Sequence, residues 1–157
     1  MQRVAAARGF SLVEALVASL LVVVAVSVLA HLLAAGARRT FDDRRTAAAA
    51  TLAHARLEEL RSAPWRFAAD GSRISDASLA LAPPETLTTD RPGYFDALDR
   101  DGSPVTGDET PHFVRRWSIG LVDAVDPDTL LLKVCVFPGR EARLADACVW
   151  GIRTRKP

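Results

Sequence analysis

Apolar positions run almost without a break from Ala15 to Ala37, where His31 is the only ionisable side chain. About 20 apolar residues carry a helix across a bilayer core, so this stretch is long enough to span one. After a polar interval from Arg38 to Arg45 the pattern becomes periodic. Ala47 to Ala50, Leu52, Ala53, Leu57 and Leu60 fall along one side of a helix, with Arg56, Glu58, Glu59 and Arg61 along the other. No proline interrupts Phe10 to Ala63, and Pro64 forces the residue before it out of helical geometry. The pattern predicts one helix of roughly 80 Å at 1.5 Å per residue. Its first half, 10–37, is apolar all round, its second half, 38–63, is amphipathic, and Gly36 and the patch from Thr40 to Asp43 mark a kink.

Beyond Pro64 turn formers recur: Pro83-Pro84, Asp90-Arg91-Pro92-Gly93, Asp101-Gly102-Ser103-Pro104 and Gly107-Asp108. Residues 64–112 therefore read as loop-rich. Alternation then predicts strands over Phe113–Val122, Thr129–Phe137 and Ala147–Arg153, separated by Asp126-Pro127-Asp128 and Pro138-Gly139-Arg140. Phe113, Trp117, Ile119 and Leu121 share one face of the first strand, with Arg115 the exception, and Leu130, Leu132, Val134 and Val136 share one face of the second. The expected fold class is α+β: a long N-terminal helix packed on a small antiparallel sheet of about three to four strands spanning 113–157. One sheet face then covers the stripe from Leu52 to Leu60. No internal repeat is present.

Twenty Lys and Arg against 19 Asp and Glu leave almost no net charge, so no global field favours nucleic acid or an acidic substrate. The length leaves room for one small domain besides the apolar segment. Ala35-Gly36-Ala37, with Arg3 and Arg8 ahead of the apolar run, also fits the cleavage pattern of a secretory signal peptide. Such h-regions are about 7–15 residues, however, and have no use for a carboxylate. A generic signal anchor is a further alternative. Arg38, Arg39, Arg44 and Arg45 directly after the span favour a cytoplasmic C-terminal part by the positive-inside rule, against the topology adopted below.

Glu14 is the residue that needs a reason, because a charge at the centre of a spanning helix costs about 2.5–3.5 kcal/mol on insertion scales. It lies in Arg8-Gly9-Phe10-Ser11-Leu12-Val13-Glu14, behind a basic leader of residues 1–9. These residues resemble the N-terminal signal of type IV pilins and pseudopilins. The layout of the whole chain resembles that superfamily too. Within it, Gly9 to Ala18, Leu57-Glu58-Glu59-Leu60-Arg61 and Arg116-Trp117-Ser118-Ile119 look like PilV-like minor pilins, with minor pseudopilins of type II secretion close behind.

The resemblance implies that a prepilin peptidase cuts after Gly9 and methylates the new amine of Phe10. It implies a single inner-membrane pass, a periplasmic C-terminal domain, and a place at the cell surface once assembled. The implied partners are the peptidase, other pilins or pseudopilins, the inner-membrane assembly platform and membrane lipid, with no enzymatic activity and no cofactor. The ammonium on Phe10 and the Glu14 carboxylate of a neighbouring subunit would neutralise each other and direct assembly. Ala15, Ala18, Ser19, Ala25, Ser27 and Ala30 would allow such helices to approach closely. A membrane-anchored or secreted periplasmic binding domain would share the apolar segment and the sheet, but would have no use for Gly9 and Glu14.

Cys135 and Cys148 are the only cysteines and are expected to form a disulfide between adjacent strands in an oxidising compartment. A hairpin centred between Glu141 and Ala142 sets them opposite each other. A register placing Cys148, Trp150 and Ile152 on the face of Leu132 and Val134 would separate them. Asp96, Asp99, Asp101-Gly102, Asp108 and Glu109 fall short of a calcium loop, because Ala97 occupies the first ligand position. His31, His54 and His112 are scattered, and no recognised catalytic or metal motif occurs. Trp65, Trp117 and Trp150 are expected to pack in the core.

Overall fold

The computed structural model describes residues 11–105 and 109–156. Helix α1 spans Leu12–Ser62, 51 residues, and runs unbroken through Gly36 and the stretch from Thr40 to Asp43. The Thr40 hydroxyl bonds back to the Gly36 carbonyl at 3.0 Å. The chain divides into two compact units, Met1–Asp43 and Arg44–Pro157, so the boundary falls inside the helix, close to the expected change from apolar to amphipathic.

In the second unit the helix presents Ala49, Ala53, Leu57 and Leu60 as its buried stripe. Spacings of four, four and three keep these residues on one face. That face lies on a four-stranded antiparallel sheet of order β3-β4-β5-β6, made of Phe95–Leu98, Phe113–Leu121, Thr129–Phe137 and Ala147–Thr154. Leu98, Phe113, Trp117, Ile119, Leu130, Leu132, Val134 and Val136 complete the core from the sheet side. The architecture is α+β as expected, and the three C-terminal strands form the expected meander.

The segment 64–112 carries short regular elements among its loops. It contains a two-stranded hairpin, β1 Trp65–Phe67 with β2 Arg73–Ser75, a short 3-10 turn at Ala77–Leu79, and the edge strand β3. These elements are three or four residues long, too short for alternation to register above the turn signals around them. Gly71 reverses the β1–β2 hairpin at φ +79°, a conformation open to glycine but strained for other residues.

The far face of the sheet is half covered. Val114, Arg116, Cys135 and Phe137 are buried there, whereas Leu131, Trp150 and Ile152 are 38%, 68% and 53% exposed. Trp150 is therefore a surface residue, contrary to the core expectation, because β6 pairs Cys148 opposite Cys135 and so turns Trp150 and Ile152 away from the helix. The same pairing excludes the register that placed those residues on the face of Leu132 and Val134.

Candidate functional site

The apolar half of α1 is the first candidate. Its best 18-residue window has a mean hydropathy of 2.7 and none of that window is buried within the protein. The helix is long and apolar enough to cross a membrane. Ser19 and Ser27 turn their hydroxyls back to the carbonyls of Ala15 and Val23, which removes free polar groups from this surface. Glu14 sits in the first turn of α1, and the Ser11 carbonyl accepts from the Ala15 amide at 3.1 Å. Negative charge is favourable in a first turn, where the amides are unpaired. Glu14 makes no ion pair among the described residues. Gly9 and Phe10 lie outside the described residues.

The structure does bring Cys135 and Cys148 together. They are directly paired on β5 and β6 and joined as a disulfide, with Cα atoms 4.1 Å apart. Below the disulfide, Arg45 in α1 approaches Asp146 with nitrogen to oxygen distances of 2.9 and 3.1 Å, holding the turn before β6 to the helix.

Sequence reasoning missed a set of buried and half-buried arginines. Arg115, the exception on an apolar strand face, pairs with Asp96 of β3 at 2.6 and 3.0 Å and donates to the Leu52 carbonyl of α1 at 2.9 Å. Arg116, on the opposite face, reaches Asp90 and the Arg140 carbonyl and stands 4.7 Å over the Phe137 ring. Arg153 donates to the carbonyls of Leu60 and Ala63 and so closes the C-terminus of α1, where unpaired carbonyls favour a cation. Burial pushes its guanidinium down from the usual arginine range.

Arg155 is 6% exposed and gathers the end of the domain. It pairs with Asp128 at 2.8 Å, donates to the Ile74 carbonyl at 2.7 Å, and lies 3.5 Å over the Trp65 ring. Arg73 grips the same carboxylate from the hairpin at 3.0 and 3.1 Å, and the Asp128 carbonyl accepts the Trp65 indole N–H at 3.2 Å. Hydrogen bonding from Arg73 is the main reason the Asp128 carboxyl is held below its ordinary value of 3.8, with Arg155 adding to it. The sequence signal was the alternation of Gly151, Arg153 and Arg155, readable only once the β5–β6 register is known.

Two acidic residues of the Asp96–Glu109 region have other employment, and Asp108 lies outside the described residues. Asp96 is the partner of Arg115, and Asp99 accepts from the amides of Asp101 and Ser103 at 2.8 Å each, closing its own loop. Among the described residues no three His, Cys, Asp or Glu side chains converge as metal ligands. No family model, curated protein or solved structure matches this chain.

Proposed function

We infer that this chain is a minor pilin, stored in the inner membrane by the apolar half of α1 and incorporated into, initiating or capping a type IV filament after prepilin peptidase cleavage between Gly9 and Phe10. The observation that carries the reading is Glu14. It is the sole acidic side chain of an otherwise apolar, unburied helical segment, four residues on in sequence from Phe10, on which a new ammonium would form. A carboxylate in that position is costly in lipid unless a cation meets it, and a processed neighbour supplies one. The folded second unit supports the same reading, because an α+β domain built directly on the continuation of the anchor helix presents a surface without a separate linker.

Intact-mass analysis of the protein from its native host tests this. The expected chain begins at Phe10 with an N-methylated amine and is recovered in sheared filaments. A chain beginning at Arg38 would make the apolar run a secretory signal, and a chain retaining residues 1–9 would make it a plain anchor.

A further inference from the structure

The Cys135–Cys148 disulfide lies on the far face of the sheet, and its two cysteines are unequally buried. Cys135 is 3% exposed, whereas Cys148 on β6 is an exposed residue. Both stand in the wall of an open cavity of about 670 Å³, which the loop residues 140–145 between β5 and β6 help to enclose. A small molecule entering that cavity meets the disulfide from the Cys148 side.

The same wall is cationic. Arg116 is directly paired with Cys135 across β4 and β5, and Lys133, two residues before Cys135, falls on the same face. Arg140 and Arg143 line the cavity from the loop, and Glu141 is the one carboxylate that does. Asp90 neutralises Arg116 at 2.8 Å. Lys133, Arg140 and Arg143 are exposed and make no ion pair among the described residues. Positive charge therefore exceeds negative around the disulfide, although the chain as a whole is almost neutral.

A disulfide is opened by a thiolate, and the rate rises with access to the attacked sulfur and with the stability of the thiolate that leaves. Nearby cations favour thiolates, and a field of one sign gathers ligands of the other. We propose that this cavity is a thiol-disulfide exchange site for small thiols that carry an additional negative charge. The incoming thiolate attacks Cys148 Sγ. Its new sulfur–sulfur bond forms as the Cys135–Cys148 bond breaks, and the electron pair of the broken bond passes to Cys135 Sγ, which leaves as a thiolate on the face it shares with Arg116 and Lys133. A second thiolate then attacks the added sulfur and releases Cys148 as a thiolate, so the small thiol is oxidised to its disulfide and the protein bond is reduced. The loop keeps its other ties, Arg45 to Asp146 and Arg116 to the Arg140 carbonyl. This site is independent of whether Gly9 is a processing site.

The test uses the oxidised full chain in zwitterionic-lipid nanodiscs and dithiols that differ in charge: dihydrolipoate is anionic, dithiothreitol neutral and dithiobutylamine cationic. Loss of the disulfide is followed by quenching with N-ethylmaleimide and intact-mass measurement. Each rate is divided by the rate of the same dithiol with hydroxyethyl disulfide, a neutral reference. On that scale dihydrolipoate should be faster than dithiobutylamine by about tenfold at low salt, with dithiothreitol between them and the spread narrowing as salt is raised. Lys133→Gln with Arg143→Gln, both at exposed positions, should bring the ratio close to one. Peptide mapping of an early acid quench with excess glutathione should find the adduct on Cys148. Equal corrected rates for the dithiols, a ratio unmoved by the double substitution, or a disulfide that opens only in denaturant would each overturn the proposal. So would a glutathione adduct on Cys135, or on neither cysteine.

Discussion

The Arg115 guanidinium on strand β4 donates to the main-chain carbonyl of Leu52, 2.9 Å away in the C-terminal part of helix α1. A carbonyl inside a helix already serves an amide one turn on, so the arginine uses its second lone pair and pins sheet to helix at a point where apolar contact alone would allow sliding. Asp96 fixes the other side of the guanidinium from β3, and the arginine side chain is only 12% exposed.

Replacing Arg115 with Met keeps the apolar stem and removes all three hydrogen bonds. We expect a loss of about 2 kcal/mol, the range for hydrogen bonds to charged groups, seen as a lower denaturant midpoint with an unchanged slope. Adding Asp96→Ala to Arg115→Met should cost less than the sum of the two single changes, because they share one interaction. Additive losses would mean the pair is not coupled.

Asp128 sets an acid limit on the domain. Its carboxyl is held low by Arg73 first and Arg155 second, so the folded state favours the ionised form more than the unfolded chain does. Stability from this source is fully present above the ordinary carboxyl value of 3.8 and is lost as pH falls below it toward the lowered folded value. Asp128→Asn should therefore be less stable than the parent at neutral pH, and the two unfolding midpoints should converge in the acid. A constant gap between them down to the acid end would refute the linkage.

The disulfide is open to a direct measurement. Cys135 and Cys148 close a loop with a sequence separation of 13. A crosslink over a loop of that length stabilises by about 3 kcal/mol, largely by restricting the unfolded chain. Cys135→Ser with Cys148→Ser should lower stability by about that amount, and alkylation of unreduced protein should label neither thiol. Quantitative labelling of both would contradict the bond.

How far the sequence revealed this molecule depended on the length of each signal. The helix was expected over 10–63 and is found over Leu12–Ser62, because 50 residues of apolar and then amphipathic periodicity leave few alternatives. The strand Thr129–Phe137 was read with its observed ends, since a run of β-favouring apolar residues lies between two proline-bearing turns. The hairpin Trp65–Ser75 and the strand Phe95–Leu98 were hidden, their few residues held by distant partners such as Asp128 and Arg115 and not by local pattern. Trp150 was misplaced for a related reason. A tryptophan in an alternating strand points inward by default, and only the Cys135–Cys148 pairing reverses it. Of the candidate site, the cysteine pair and Glu14 were visible in sequence, whereas the arginine anchors were not, because Arg115, Arg153 and Arg155 reach partners far away in the chain.

Glu14 carries the functional reading, and its substitution separates storage from assembly. Glu14→Gln keeps side-chain length and removes only the charge, which lowers the cost of placing this turn in lipid, so membrane insertion should be retained. If the carboxylate meets the Phe10 ammonium of a neighbour, the variant leaves that ammonium buried without a partner. Breaking a buried pair in this way costs about 3–5 kcal/mol, or a several-hundred-fold loss or more in incorporation. Fractionation should find Glu14→Gln accumulating in the inner membrane and depleted from sheared filaments, while the parent distributes to both. Normal incorporation would remove Glu14 from assembly. Failure to insert would assign it to targeting, and in either case the pairing of Glu14 with Phe10 would have to be abandoned.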